Sequence, residues 1–199
     1  TGAAGSGGGI LNDGGTLTVS NTVIRGNSAN RAGGGIEDNA RVTPTTTALS
    51  NVTFTQNFAG SAPGNGGAMH VSGPGAVSYT GGSVTDNEAA TEGGGLWNGS
   101  GLMEIASVTF TGNAANGDAA DNGGGALFNQ GGDIVITGNT VIAGNSALGR
   151  AGSGGGVFNN EGTVTMTGGS ITGNVANRAG GGIEDRSTTN DTTTGTPTI

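Results

Sequence analysis

Hydrophobic residues in this chain alternate with polar ones over short runs, and turns rich in glycine, asparagine and serine separate the runs. One such run carries apolar residues two positions apart, as in Leu17 with Val19 and Ile134 with Ile136. A second run has an apolar residue three positions before a recurring asparagine: Ile24, Phe54, Val84, Phe110, Ile142 and Ile171. Alternation at period two predicts short β-strands rather than helices.

A third predicted strand opens after a run of glycines and recurs along the whole chain. Its first apolar residues are Ile10, Ile36, Met69, Leu96, Leu127, Val157 and Ile183. The distance along the sequence from one of these residues to the next varies, but it always lies within the range typical of one structural repeat. A second marker, an asparagine followed two positions later by alanine, keeps pace with the first: Asn27, Asn57, Asn87, Asn113, Asn145 and Asn174. Two independent markers that advance together indicate a repeat protein.

A longer repeat lies above the short one. Residues 1–38 match residues 148–185 at a constant offset of 147, with 24 identities in 38 pairs. Five short repeats therefore form one long unit, and the chain holds about one and a third such units. We interpret residues 1–199 as a single repeat segment and expect it to belong to a longer array.

Three short strands in about 29 residues cannot bury an apolar face alone, but equivalent strands of successive repeats bury one when they stack in parallel. The sequence therefore predicts an all-β fold, a right-handed parallel β-helix or solenoid. We expect about six to seven coils of 26–33 residues, with three short strands in each coil. Columns of isoleucine, valine, leucine, methionine and phenylalanine are expected to fill the interior.

Composition and charge narrow the range of partners. Six arginines, no lysine and 14 acidic residues give a net charge of −8, which disfavours nucleic acid and anionic membrane surfaces. No run stays apolar over the roughly 18 residues that a membrane helix needs, so no membrane segment is expected in this chain. The chain has no cysteine, so disulfide bonds do not stabilise it.

The glycine run and the asparagine marker together resemble the repeats of the polymorphic outer-membrane proteins, which are autotransporters. Their Gly-Gly-Ala motif, followed by an aliphatic residue, is similar to residues 66–69 and 124–127. Their Phe-x-x-Asn motif is similar to residues 54–57 and 110–113, while other coils use Gly-Gly-Gly and replace the phenylalanine by isoleucine or valine. The resemblance covers the whole chain and implies the passenger segment of an exported adhesin or surface fibre.

A polar residue follows the glycine-run strand at the same place in most coils: Asn12, Asp38, Asn98, Asn129, Asn159 and Asp185. Val71 is the exception. Stacked asparagines form ladders of side-chain amides along a sheet, so we interpret this column as structural. Where aspartate replaces asparagine beside Glu37 or Glu184, a bound cation is the alternative, although calcium requires six or more oxygen ligands.

One outward column of the same strand is rich in aromatic residues. Directly after the first apolar position come Leu11, Glu37, His70, Trp97, Phe128, Phe158 and Glu184. We expect Trp97, Phe128 and Phe158 to stack on consecutive coils as an aromatic ridge, with His70, a surface imidazole, beside them. Two interpretations stay open: long loops cover the ridge, or it is an exposed contact surface for another protein chain or a sugar.

No set of residues amounts to a catalytic site, and we expect no cofactor or metal. β-Helical lyases and glycosidases need acids that converge on one groove. Here the acids are dispersed, and we expect the pairs Glu88 with Glu92 and Asp118 with Asp121 to lie in loops. No nucleophile–base pair, phosphate-binding loop or metal-ligand spacing is present in the sequence.

Hydroxyl side chains form another outward pattern, on the strand before the asparagine marker. The pairs are Thr53 with Thr55, Ser83 with Thr85, Thr109 with Thr111 and Ser170 with Thr172, interrupted by Val23 with Arg25 and Val141 with Ala143. A flat threonine array resembles an ice-binding face, although threonine is common on the solvent face of strands. Glycosylation of these hydroxyls, or of the sequons at Asn51, Asn98 and Asn190, also stays open.

The function that we expect is non-enzymatic: a structural or adhesive segment of a secreted, bacterial cell-surface or fibre-forming protein. A carbohydrate-active β-helix enzyme and an ice-binding module are the alternatives. Exposed strand edges at the ends of a rod favour self-association, end to end or lateral. A carbohydrate or protein on a host or other surface is the other expected partner.

Overall fold

The structure is a computed structural model that describes residues 5–40, 45–61 and 63–186. These residues form 23 short strands and no helix, and so no helix that could cross a membrane. Coils one to three contain β1 (Ile10–Asp13), β2 (Thr16–Ser20), β3 (Val23–Arg25), β4 (Ser28–Ala29), β5 (Ile36–Asn39), β6 (Thr46–Thr55), β7 (Phe58–Ala59), β8 (Met69–Ser72), β9 (Ala76–Thr85) and β10 (Glu88–Ala89). Coils four to six contain β11 (Leu96–Asn98), β12 (Leu102–Ala106), β13 (Thr109–Thr111), β14 (Ala114–Ala115), β15 (Leu127–Gln130), β16 (Asp133–Thr137), β17 (Val141–Ala143), β18 (Ser146–Ala147), β19 (Val157–Asn160), β20 (Thr163–Met166), β21 (Ser170–Thr172) and β22 (Val175–Ala176), and β23 (Ile183–Arg186) follows them.

The strands form three parallel sheets, in which each strand pairs with its equivalents in the neighbouring coils. The first sheet has the order β1-β5-β8-β11-β15-β19-β23, and the third has the order β4-β7-β10-β14-β18-β22. The second sheet contains β2 and β3, β6, β9, β12 and β13, β16 and β17, and β20 and β21. This arrangement is a parallel β-helix of about six coils, and it confirms the fold class predicted from the repeat period.

The register of the first sheet follows the spacing of the glycine-run strands in the sequence. Ile36 pairs with Met69 across one of the longest coils, and Val157 pairs with Ile183 across one of the shortest. The other steps agree in the same way. Loops therefore absorb the differences in coil length, and the strands keep their register.

Two details of the strands differ from the prediction. In coils two and three the first and second runs described above, which end just before the marker asparagine, form one continuous ten-residue strand, β6 in coil two and β9 in coil three. The chain still bends inside them, as at Asn51, where φ is +52°, but pairing continues through the bend. A further two-residue strand follows each marker asparagine, and two residues are too few for an alternating pattern to reveal it.

The interior is a stack of apolar columns. The first sheet contributes the fully buried residues Ile36, Met69, Leu96, Leu127 and Val157. The second sheet contributes Phe54, Val84, Phe110 and Ile142 as one column and Val77, Met103, Ile134 and their neighbours as another. These columns are those that the alternation predicts, and burying apolar surface at about 25 cal/mol per Å² makes them the main source of stability.

The glycine run turns the chain from the third sheet into the first, and its first two positions have different requirements. Gly66 has a φ of +67°, and a β-carbon there would lie 2.3 Å from the carbonyl oxygen of Met69. Gly67 does not have a positive φ, but a β-carbon there would lie 2.2 Å from the carbonyl oxygen of Gly94 in the next coil. The third position accepts alanine, as Ala68 shows. The run therefore lies directly against the strand that follows it.

Candidate functional site

The outward column of the first sheet brings together the most distinctive side chains of the chain. Its members pair in register: Leu11, Glu37, His70, Trp97, Phe128, Phe158 and Glu184. The ring centroids of His70 and Trp97 lie 4.3 Å apart in a stacked pair, and those of Trp97 and Phe128 lie 6.0 Å apart with nearly parallel planes. Phe128 meets Phe158 edge to face at 5.2 Å. The four rings thus form one aromatic column across four coils.

The aromatic column is covered. Phe128 and Phe158 are 0% exposed and His70 is 6% exposed, whereas Trp97 is half-buried. The expected exposed ridge is therefore absent at Phe128, Phe158 and His70, whose side chains are buried. The glycine run lies close to the base of this column, since a β-carbon at Gly154 would lie 2.7 Å from Cβ of Phe158.

Glu92 fastens a loop over this column. Its carboxylate accepts a hydrogen bond from Nε1 of Trp97 at 2.9 Å and another from Nδ2 of Asn122 at 2.9 Å. Burial raises the pKa of Glu92, and the negative charge of Asp121 acts in the same direction. The two hydrogen bonds favour the ionised form and offset part of this rise. Glu92 therefore holds the loop that carries Asn122, between β14 and β15, against the indole ring.

A buried group of acid, imidazole and hydroxyl lies at the other end of the column. Oε2 of Glu37 lies 2.9 Å from Nδ1 of His70, and Oε1 of Glu37 accepts a hydrogen bond from Oγ of Ser72 at 2.8 Å. Oγ of Ser72 lies 3.4 Å from the same Nδ1. A catalytic triad needs the hydroxyl and the acid on opposite ring nitrogens, so this geometry does not activate Ser72 as a nucleophile. It satisfies a buried carboxylate, and the expectation of a surface imidazole at His70 is wrong.

The predicted loop acids do not meet in one groove. Glu88 lies in β10 rather than in a loop, and its Oε1 accepts a hydrogen bond from Nδ2 of Asn116 at 2.8 Å. Oδ1 of Asp118 accepts one from the backbone amide of Arg150 at 2.7 Å. Within the described ranges, no three acidic or histidine side chains are grouped closely enough to hold a metal ion. These acids tie neighbouring coils together.

The cation considered beside Glu37 and Asp38 has no converging ligands. Neighbouring residues of a strand point to opposite faces, so the two carboxylates do not face a common centre. Glu37 bonds outward to His70, while Asp38 is fully buried and accepts hydrogen bonds from Asn12 at 3.0 Å and from Thr47 at 2.7 Å. Asp38 is therefore part of the side-chain ladder.

The predicted polar column makes axial hydrogen bonds in two parts. Each amide Nδ2 donates to a side-chain oxygen of the next coil at 2.7–3.0 Å: Asn12 to Asp38, Asn98 to Asn129, Asn129 to Asn159 and Asn159 to Asp185. Val71 separates the two parts. It leaves Oδ1 of the buried Asn98 without a hydrogen-bond partner among the described residues.

The marker asparagines form a second, unbroken ladder, which the sequence-based prediction lacks. Nδ2 of each donates to Oδ1 of the next at 2.8–3.1 Å, in the order Asn27, Asn57, Asn87, Asn113, Asn145 and Asn174. The backbone amide of each donor residue bonds to the same oxygen. The sequence does contain a signal for this ladder. The marker position follows a residue that bends the chain, and it is asparagine in every coil, never an apolar residue. Recurrence of that kind indicates a buried polar column.

The predicted hydroxyl pairs lie in register on the outer face of the second sheet. Thr53 pairs with Ser83, which pairs with Thr109, and Thr55, Thr85 and Thr111 form the parallel row. Oγ of Ser83 lies 3.5 Å from Oγ1 of Thr53. These six side chains form a small uncharged patch that is partly exposed.

The three sequons have different positions. Asn51 is exposed at the bend of β6, where its Nδ2 donates a hydrogen bond to Oδ1 of Asn21 at 2.9 Å. Asn98 is fully buried in the ladder, which closes its amide to an enzyme. Asn190 lies outside the described residues.

Comparison with protein-family models, with curated protein sequences and with solved structures finds no match to this chain. A fold by itself does not assign a function. The arrangement of side chains therefore carries the functional argument.

Proposed function

We propose that this chain is a non-enzymatic structural or adhesive segment of a secreted protein, displayed on a bacterial cell surface or built into a fibre. The observation that supports this most directly is the unbroken marker ladder, in which each buried asparagine bonds to its equivalent in the next coil. Catalysis needs polar groups that converge on one place. Here the recurring polar groups are spread along the axis, where they bond each coil to the next. Each added repeat therefore lengthens the helix.

Length is what such a design provides. Each coil adds about 4.8 Å along the axis, so a five-coil unit adds roughly 24 Å. Successive units extend the helix in one direction and leave its cross-section unchanged. The partners that suit an extended segment are another copy of the chain, or a carbohydrate or protein on a host or other surface.

The motif resemblance supports the same role. The Gly-Gly-Ala and Phe-x-x-Asn motifs, at residues 66–68, 124–126, 54–57 and 110–113, are similar to those of the polymorphic outer-membrane proteins. An autotransporter passenger of that type is exported and acts at the cell surface, which fits a stiff axial segment.

Insertion of one additional long repeat unit tests the structural role. Small-angle X-ray scattering should show a maximum dimension longer by roughly 24 Å and an unchanged cross-sectional radius. A second compact particle joined by a flexible link would contradict the proposal, because the added unit would not have continued the helix.

The competing enzymatic function is tested at the group formed by Glu37, His70 and Ser72. We expect no release of new reducing or unsaturated ends from acidic polysaccharides. Turnover that is lost in Ser72→Ala and kept in Ser83→Ala, a hydroxyl on the outer patch, would refute the proposal.

Ice binding is a second candidate because six hydroxyls lie in register on an uncharged patch. A face of this kind requires regular spacing, and rows of parallel strands give repeats of about 4.8 Å across and about 6.7 Å along the strands. Thermal hysteresis that disappears in Thr109→Val and persists in Thr163→Val would favour this function over the structural one.

A further inference from the structure

The loop between β14 and β15 contains Asn122 followed directly by Gly123. In an Asn-Gly pair the backbone nitrogen of the glycine can attack Cγ of the asparagine, because glycine has no β-carbon to hinder the approach. The chain has four such pairs, which begin at Asn65, Asn98, Asn116 and Asn122. The structure distinguishes them by the hydrogen bonding of the attacking nitrogen and by access to water.

At three of the four pairs the structure opposes this attack. The backbone amide of Gly66 donates to the carbonyl oxygen of Glu92 at 2.9 Å, and that of Gly117 donates to the carbonyl oxygen of Thr91 at 3.2 Å. Asn98 is fully buried. A bonded amide loses its hydrogen bond when its nitrogen attacks, and a buried side chain is closed to the water that the reaction consumes.

The pair formed by Asn122 and Gly123 has neither obstacle. Within the described part of the chain, the backbone amide of Gly123 donates no hydrogen bond, and Asn122 is only half-buried. The fold also requires glycine at position 123, where φ is +147° and a β-carbon would overlap the carbonyl oxygen of Ser153. The attacking nitrogen is therefore unhindered, and water reaches the asparagine.

The side chain of Asn122 is held at both of its polar atoms. Oδ1 accepts a hydrogen bond from the backbone amide of Ala119 at 3.1 Å, and Nδ2 donates to Oε1 of Glu92 at 2.9 Å. The donor at Oδ1 withdraws electron density from Cγ. It also stabilises the negative charge that Oδ1 gains when a nitrogen adds to Cγ, as a donor in an oxyanion hole does.

We propose that Asn122 is a self-modification site, which the chain converts to aspartate or isoaspartate without an enzyme. The backbone nitrogen of Gly123 gives its proton to hydroxide and bonds to Cγ of Asn122. The bond from Cγ to Nδ2 breaks, and Nδ2 takes a proton from water and leaves as ammonia, so a cyclic succinimide forms. A water molecule then opens this ring at one of its two carbonyl groups. In sum one water is consumed and one ammonia is released, with no change of oxidation state.

The conversion releases the loop that covers Trp97. The new carboxylate cannot donate to Glu92, which keeps only the hydrogen bond from Nε1 of Trp97. Two like charges then face each other at a partly buried place and repel. Asn122 therefore sets a one-way, time-dependent release of this loop. This modification goes beyond the proposed structural role and does not depend on it.

Ageing of the full chain in mildly alkaline buffer tests the reaction. Cleavage on the amino side of aspartate gives separate fragments, 86–117 and 121–132, for Asn116 and Asn122. Tandem mass spectra then follow the replacement of each side-chain amide by a carboxyl group. We expect Asn122 of the folded chain to convert at least about tenfold faster than Asn116, the factor that one backbone hydrogen bond supplies. In urea, where both pairs are unfolded, the two rates should be about equal.

Fluorescence tests the release of the loop, because Trp97 is the one tryptophan of the chain. Asn122→Asp should move its emission to longer wavelengths and increase its quenching by acrylamide. Asn116→Asp is the matched control, since Nδ2 of Asn116 also donates to a glutamate, Oε1 of Glu88 at 2.8 Å, but on the third sheet. Its emission should stay that of the natural chain. If circular dichroism shows that Asn122→Asp does not fold, the aged natural chain gives the same measurement, because its emission should shift in step with conversion at Asn122.

Two results would overturn the proposal. One is a ratio of the two conversion rates that is the same in the folded and the urea-unfolded chain, which would mean that the structure does not select Asn122. The other is complete conversion of Asn122 with no change in the emission of Trp97, which would mean that the loop stays in place.

Discussion

Replacing Asn87 by alanine removes the middle of the marker ladder. Oδ1 of Asn87 accepts the backbone amide of Asn57 at 3.0 Å and Nδ2 of Asn57 at 2.9 Å. Nδ2 of Asn87 donates to the carbonyl oxygen of Phe54 at 3.1 Å and to Oδ1 of Asn113 at 3.0 Å. The residue is 1% exposed, so water does not replace these partners in the folded state.

The cost follows from the groups that lose a partner. The buried backbone amide of Asn57 loses the acceptor that it has in the structure, which costs about 1–3 kcal/mol. The three other hydrogen bonds just named add about 0.5–1.5 kcal/mol each, so the free energy of unfolding should fall by about 2.5–7.5 kcal/mol. Asn27→Ala is the matched control. Both Nδ2 and the backbone amide of Asn27 donate to Oδ1 of Asn57. Removing the side chain of Asn27 loses only the Nδ2 hydrogen bond and leaves every backbone amide with its acceptor, so it costs about 0.5–1.5 kcal/mol.

Urea unfolding followed by far-ultraviolet circular dichroism measures both variants. Hydrogen exchange then localises the effect, since the amide of Asn57 should lose protection in Asn87→Ala and keep it in Asn27→Ala. If the two variants unfold at the same urea concentration, or if protection at Asn57 does not change, the ladder does not stabilise the helix in the way argued.

Three further predictions concern other parts of the helix. Val71→Thr should change the free energy of unfolding by less than about 1 kcal/mol, because the hydroxyl of the introduced threonine can donate to the unpartnered Oδ1 of Asn98. A buried hydroxyl without a partner would instead cost about 1–3 kcal/mol. A loss of about 1–3 kcal/mol in the free energy of unfolding, measured by urea denaturation, would contradict this prediction. Burial raises the pKa of Glu92, so the folded state holds the proton of this carboxyl group more tightly than the unfolded state does. The resulting contribution to the free energy of unfolding is complete below the ordinary glutamate pKa and is lost as pH rises through the raised pKa. The Glu92→Gln variant should therefore become more stable relative to the natural chain as pH rises from about 4 to about 7. If the melting temperatures of the two proteins change with pH in the same way, this prediction is refuted. Gly94→Ala would place a β-carbon 2.4 Å from two carbonyl oxygens and should cost more than about 3 kcal/mol. Gly144→Ala meets nothing within 4 Å and should cost only the about 1–2 kcal/mol of its positive φ; equal losses in thermal melts would be inconsistent with the packing argument.

The fold could be predicted because it depends on periodicity within the chain. Once the glycine-run strands are aligned, the pairing of Ile36 with Met69 follows from the stacking alone. The same alignment places Trp97 beside Phe128. Each of these relations needs only the repeat and the alternation of side chains along a strand.

The cover over the aromatic column could not be predicted in the same way. Alternation states which side of a strand a residue is on, but it does not state what lies above that side. Trp97 is half-buried because Glu92 holds a loop from another coil through Asn122, and that contact depends on loop conformations with no period. The marker ladder escaped prediction for a different reason. An asparagine at a turn is most often explained by its tolerance of left-handed backbone, which hides its role as a buried hydrogen-bonding group.

The two asparagine ladders share one direction, since in both of them Nδ2 donates to the side-chain oxygen of the equivalent residue in the following coil. A side-chain amide is a small electric dipole, and side-chain amides held in line add their moments, whereas the backbone of a sheet contributes little net moment. The two ladders therefore add a moment along the axis that is positive towards the last coil and negative towards the first. Where rods lie side by side at low ionic strength, this moment favours neighbours that run in opposite senses.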